Sequence, residues 1–131
     1  MTLTNSQMIQ KAKSIARLHH ASDEVRIGEV GCVLLTEKNN IFMGVSIHAC
    51  CGVGFCAEHS AIAAMVLNQE YKIKKIVAVS GDGTVLPPCG RCREFMYQID
   101  KANYDTDIII EKNKTVKLRN LLPMIWQEKF Y

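Results

Sequence analysis

Cys56-Ala57-Glu58 and, further along, Pro88-Cys89-Gly90-Arg91-Cys92 limit the fold of this chain more than any other feature. A single thiol and a Cys-x-x-Cys pair supply three ligands of the kind that bind zinc, so a fold that uses them must bring both segments to one point. Zinc in catalytic sites characteristically takes three protein ligands plus water. Glu58 follows the first cysteine closely, within reach of that water and not needed to hold the metal. A carboxylate beside a metal-activated water points to hydrolytic chemistry. Two other readings stay open on spacing alone. One is a closed structural zinc site with Cys50, Cys51 or His59 as the fourth ligand; the other is a redox Cys-x-x-Cys formed by Cys89 and Cys92 acting by themselves.

The remaining composition agrees with metal rather than disulfide chemistry. The 131 residues are 48% hydrophobic with mixed charge, which predicts a single globular domain spanning 1–131 and able to bury a core without staples. No stretch approaches the roughly 18 uncharged apolar residues of a membrane span. Met1-Thr2-Leu3-Thr4-Asn5 has neither the basic start nor the apolar run of a signal peptide, so a cytoplasmic, reducing location is expected for the six cysteines. Cys32 lies in an apolar run and reads as a buried small hydrophobe. The net charge of +3 is scattered among acidic residues, with no basic block, and no nucleic-acid partner is expected.

Periodicity predicts a first helix from Ser6 to about His20, with Met8, Ile9, Ala12, Ile15 and Ala16 on one stripe and Asn5 or Ser6 as cap. Val30 to Thr36 and Ile41 to Ile47 read as strands of a hairpin joined by Glu37-Lys38-Asn39-Asn40. Ala49 to Phe55 reads as a loop. Cys56 then opens a second helix, apolar nearly all round and so buried on more than one side. Lys75 to Ser80 is a strand, and the Gly81-Asp82-Gly83 turn and Pro87-Pro88 lead to a third helix from Cys89 to about Ile99. Asp107 to Glu111 and Thr115 to Leu118 are strands around an Asn113 turn. A last helix runs from Leu118 to Leu122, broken at Pro123. The alternation of strands and helices predicts an α/β sandwich.

On this map Cys56 falls at one helix N-terminus, and Cys89 and Cys92 fall in the first turn of another. Unpaired N–H groups and the positive dipole end there favour thiolate. Pro88 suits a helix start, where its missing N–H loses nothing. Three thiolates on a divalent ion leave a net negative centre, which the helix ends, Arg91 and Arg93 are placed to offset; for the arginines the other reading is a solvated surface. Glu58 is the expected catalytic proton shuttle, and its plainer reading is an acid favoured at a helix N-terminus.

Phe55-Cys56-Ala57-Glu58, Pro88-Cys89-Gly90-Arg91-Cys92-Arg93-Glu94 and Leu121-Leu122-Pro123 together resemble the zinc-dependent cytidine deaminase family in its three-cysteine branch, over about Val30 to Trp126. The resemblance implies a three-layer α/β/α sandwich with a central mixed five-stranded sheet. It implies Zn2+ on Cys56, Cys89 and Cys92, with Glu58 catalytic, and hydrolysis of a cytosine nucleoside to its uracil form with release of ammonia. It further implies a homotetramer whose sites are completed by neighbouring chains, and backbone amides near Ala57 that bind the pyrimidine carbonyl. Ser46 stands where the family has a ribose-binding asparagine, His48 where it has a glutamate, and Gly28 where an aromatic often packs on the base. Trp126 occupies the position of an aromatic that reaches the substrate. Length, the Ile76-Val77-Ala78-Val79 strand, the Pro-Cys-Gly-Arg-Cys-Arg block and the incomplete ribose pair also resemble blasticidin S deaminases, which makes a modified cytosine nucleoside the alternative substrate. Deaminases of bases in nucleic acid usually show His-x-Glu and a basic or aromatic groove, neither of which is present here. A non-catalytic zinc-stabilised module would have no use for Glu58.

Overall fold

In the structure, a computed structural model, residues 3–130 are described. The hairpin forms as the apolar runs dictate: β2 (Arg26–Thr36) and β3 (Ile41–His48) pair antiparallel. Their turn is closed by the Thr36 N–H donating to the Asn40 carbonyl at 2.8 Å, with Asn39 at a positive φ of 66°. On its other side β2 pairs antiparallel with β4 (Ile73–Ser80), and β4 runs parallel to β6 (Asp107–Glu111). Beyond β6 lies its antiparallel partner β7 (Lys114–Lys117).

These five strands, ordered β3-β2-β4-β6-β7, make the expected mixed sheet, but two more join it. The two-residue strands β1 (His19–His20) and β5 (Val85–Leu86) lie against β2 and β4, so among the described residues the sheet has seven strands rather than five. Elements this short carry no periodicity to read.

Side-chain alternation along the strands splits the core into two layers. Val33 and Leu35 of β2, Val77 and Val79 of β4 and Ile109 of β6 pack against Met8 and Ala12 of α1 (Asn5–Ile15). The intervening Cys32, Leu34, Ile76 and Ile108 pack against α2 (Ala57–Leu67) and α3 (Gly90–Ile99) through Ala61, Ile62, Met65 and Met96. Cys32 is fully buried, as its apolar setting predicts. The result is helices on both faces of one sheet. Gly44 of β3 permits this spacing, since a Cβ there would fall 2.3 Å from the Ala61 nitrogen of α2.

Several boundaries move. The first helix is capped by Thr4, not Asn5 or Ser6: the Thr4 hydroxyl accepts the Gln7 N–H while the Gln7 side chain accepts the Thr4 N–H. It ends at Ile15 instead of about His20, where the buried stripe ends and His19-His20 leaves to pair with β2. The last helix, α4, covers only Leu118–Leu121. Among the described residues no helix is long and apolar enough to cross a membrane.

Candidate active site

Two helix starts meet at the end of the sheet. Cys56 is the N-cap residue of α2 and Cys89 that of α3. Cys92, one turn into α3, is fully buried. The Sγ atoms of Cys56 and Cys89 are 3.6 Å apart, those of Cys89 and Cys92 3.5 Å, and all three lie within 4.8 Å of one another. A tetrahedral zinc with bonds of about 2.3 Å sets its sulfurs roughly 3.8 Å apart, whereas a disulfide needs about 2.05 Å. The donor set fits Zn2+ in both chemistry and spacing. All six cysteines are free thiols.

Among the described residues no fourth protein ligand joins this cluster. Cys50 and Cys51 are exposed in a 3-10 turn, Cys50–Gly52, before the site. His59 is not a fourth ligand either. Its Nδ1 lies 3.4 Å from the Cys92 sulfur, and its ring stacks on Phe95 with centroids 4.6 Å apart.

Helix ends do not by themselves make three thiolates here. Burial pushes the Cys56 thiol up and, with the Glu58 charge, drives Cys92 far above the usual thiol range. At Cys89 burial also acts upward, but the backbone N–H groups of Cys92 and Arg91 and the two neighbouring thiols outweigh it and lower the thiol. Sulfurs that hold their protons this close together release them to a divalent cation, so metal affinity is tied to pH.

Glu58 sits in the first turn of α2, only 6% exposed, beside the sulfurs and facing a cavity of about 430 Å³. Burial pushes its carboxyl above the usual range, while its own backbone N–H and the Cys92 side chain pull the other way. The cavity is within the range of small-molecule sites, roughly 300–1,000 Å³. Ser46, His48, Cys56, Ala57, Glu58, Cys89 and Arg91 all border it, between apolar walls that include Val30, Phe55 and Leu86. Ala57 opens α2, where backbone N–H groups have no partner within the helix.

Two residues named from sequence lie elsewhere. Arg93 does not face the sulfurs and is not a solvated surface side chain: it donates at 2.8 Å to the Leu121 carbonyl and holds α4. Trp126 does not border this chain's cavity. It lies in a 3-10 turn, 5.5 Å from the Phe130 ring, near Tyr97 and Lys101. Gly28 has a φ of 82°, and a Cβ there would meet the Arg17 carbonyl at 2.4 Å, so the backbone excludes an aromatic side chain at this position. Sequence reasoning missed Glu29, whose carboxylate lies 3.1 Å from His48 Nε2. The one signal for it was a glycine inside a strand, a mark of a bulge.

A family model for the cytidine and deoxycytidylate deaminase zinc-binding region matches residues 3–104. The chain belongs to this deaminase family. It is 37% identical over 106 residues to a cytidine deaminase of Mycoplasma pneumoniae, covering 76% of each chain. It is 31% identical to cytidine deaminase 6 of Arabidopsis thaliana over 131 aligned residues, 89% of this chain and 41% of that one. With a cytidine deaminase of Mycobacterium tuberculosis it shares 29% identity over 70 residues, 53% of each. The chain thus spans about half the length of these last two relatives. The deaminase fold is shared with the crystal structure of cytidine deaminase from Mycobacterium leprae, at TM-score 0.76 and 22% identity over 93% of this chain and 99% of that one. The structure from Burkholderia pseudomallei gives TM-score 0.75 at 20% identity, over 95% of this chain and 100% of that one.

Proposed function

We propose that this chain is a zinc-dependent aminohydrolase that converts a cytosine nucleoside of the cytidine or deoxycytidine type to its uracil counterpart and releases ammonia. The observation that carries the reading is the three-sulfur cluster, without a fourth protein ligand among the described residues, beside a buried carboxylate that faces a nucleoside-sized cavity. Zn2+ held by Cys56, Cys89 and Cys92 would supply a Lewis acid that makes water a nucleophile at neutral pH.

The chain's own groups do the rest. Glu58 takes one proton from the attacking water and delivers it to the ring nitrogen. It then takes the remaining proton of the added hydroxyl and passes it to the departing amine, so that the C–N bond breaks, the ring carbonyl forms and ammonia leaves. Its raised carboxyl suits a group that must both accept and return protons. The free N–H groups at the start of α2, around Ala57, donate to the pyrimidine carbonyl. Arg91 borders the cavity and offsets the negative charge of the thiolates. Ser46 and His48 stand on the sugar side. Trp126, outside this chain's sulfur-lined cavity, would meet a substrate only in the site of a neighbouring copy, as in the homotetramer that the family implies; we assign the protein to the cytoplasm, without nucleic-acid or membrane partners.

Loss of cytosine ultraviolet absorbance tests the reading. Zinc-loaded protein is incubated with cytidine, deoxycytidine and blasticidin S, with and without a chelator. Chelator-sensitive loss with at least one of them is expected, and blasticidin S reports on the modified-nucleoside alternative. No turnover of any of the three overturns the proposal.

A further inference from the structure

β2 and β3 do not pair evenly at the mouth of the cavity. Ile27 faces Ile47, yet the next pair is Gly31 with Val45, so β2 carries two extra residues across this gap. Bulges of this kind bend a strand and re-aim a side chain, often beside a functional site. Three features hold this one. Gly28 adopts its left-handed φ against the Arg17 carbonyl, a position that no Cβ could share. The Val30 N–H, displaced from the ladder, donates to the Ser46 hydroxyl at 3.0 Å. Arg26 pairs with His48 across the strands, on the outer side of the bulge.

The residue that the bulge delivers is Glu29. His48, which borders the cavity, lies 3.1 Å from Glu29 Oε2 through its Nε2, and Arg26 Nη2 approaches the same oxygen at 4.0 Å. Both contacts fall on one oxygen; among the described residues no group donates to Oε1. The Glu29 side chain is 45% exposed; it does not itself border the cavity but stands behind His48, which does. A carboxylate oxygen with lone pairs free accepts hydroxyl donors, and such charge-assisted bonds are stronger than neutral ones.

We infer that Glu29, aimed by the bulge and steadied by His48, reads the sugar hydroxyls of the nucleoside. Ser46 acts through it as a positioning residue that clasps the bulge. This inference rests on the nucleoside reading above and names the part of the substrate that this chain discriminates.

The test compares sugars that keep or lack their hydroxyls. Glu29→Ala should raise KM for cytidine about tenfold, the scale of one charge-assisted hydrogen bond, and leave KM for 2′,3′-dideoxycytidine within about twofold. Glu29→Gln should fall between, since an amide oxygen still accepts but without charge. Ser46→Ala should raise cytidine KM in the native background and add nothing to Glu29→Ala. Calorimetric binding of uridine and 2′,3′-dideoxyuridine to native protein and Glu29→Ala gives a readout without turnover, with the loss expected for uridine alone. Equal effects on hydroxylated and dideoxy ligands, or none on either, overturn the assignment. If no cytosine nucleoside is deaminated, the catalytic reading falls by itself, and the uridine pair still decides the role of Glu29.

Discussion

Nδ1 of His59 lies 3.4 Å from Sγ of Cys92, the most deeply buried of the three candidate zinc ligands. Burial and the Arg91 charge hold this imidazole below its usual range, so it is neutral at physiological pH. A neutral ring protonated at Nδ1 donates to the sulfur and fixes its direction, while stacking on Phe95 fixes the ring. Outer partners of metal ligands typically contribute 10–100-fold in metal affinity or activity. His59→Ala should therefore weaken zinc binding by about that factor, read by competition with a chelator. Asparagine, which keeps a donor, should recover part of it. Unchanged affinity in the alanine variant would mean that the contact has no bearing on the metal.

Glu58→Gln should separate metal binding from turnover. The carboxylate is not one of the three clustered ligands, so the variant should carry as much zinc per chain as the native protein. Turnover should fall by about 10²–10⁴, the scale of a lost acid–base group. Metal analysis and a rate assay on the same preparation check both halves. A variant that turns over at the native rate removes Glu58 from the mechanism.

Cys50 and Cys51 bear on whether the metal is open to water. Both are exposed and lie outside the sulfur cluster. Replacing both with serine should leave zinc content and turnover near native values. Loss of zinc in that double variant would show a fourth sulfur closing the shell, and a structural site.

Glu70 sets an acid-side stability term far from this chemistry. It is 6% exposed, and its carboxylate accepts from the Asn40 and Asn68 side chains at 2.8 and 2.9 Å. The Thr36 hydroxyl first, and then these amides, hold its carboxyl below the ordinary range. Because the folded value lies below the unfolded one, the stabilisation is complete above the unfolded value of about 4.3 and is lost as pH falls through the folded value. Native protein should thus melt higher than Glu70→Gln at pH 7, and the gap should close on acidification below about pH 4. A gap that stays constant from pH 7 to pH 3 would mean that Glu70 contributes no charge-linked stability.

What the sequence revealed and what it hid divide along the range of the interactions. The ligand spacing around Cys56, Cys89 and Cys92 is a local pattern, as is an apolar strand closed by Asn39-Asn40, and both are legible in one dimension. The Glu29 bulge is a mismatch between two strands, so only the glycine at position 28 hinted at it. His59 was visible as a possible ligand because it adjoins Glu58, but its place behind Cys92 depends on how α2 meets α3. Arg93 adjoins Cys92 in sequence yet turns to Leu121, because a carbonyl at the end of a four-residue helix lacks a partner. Trp126 shows the same limit: its position in the chain says nothing of the distance between the C-terminal turn and the cavity.

Gly44 connects the fold to the site. β3 and α2 approach so closely there that a Cβ would fall 2.3 Å from the Ala61 nitrogen and 2.6 Å from the Ser60 Cβ. Neither neighbour is the free end of a flexible side chain, so alanine forces backbone to move. Overpacking of this kind destabilises by about 1–3 kcal/mol. The helix that must shift carries Cys56 at its cap and Glu58 in its first turn. Gly44→Ala should therefore lower the melting temperature and weaken zinc binding together, although residue 44 is not a candidate ligand. Melting in the presence and absence of a chelator distinguishes the effects: if helix placement is what matters, the variant gains less from zinc than the native protein does. An alanine variant with native stability and native zinc affinity would mean that this contact does not govern where α2 presents its sulfur and carboxylate.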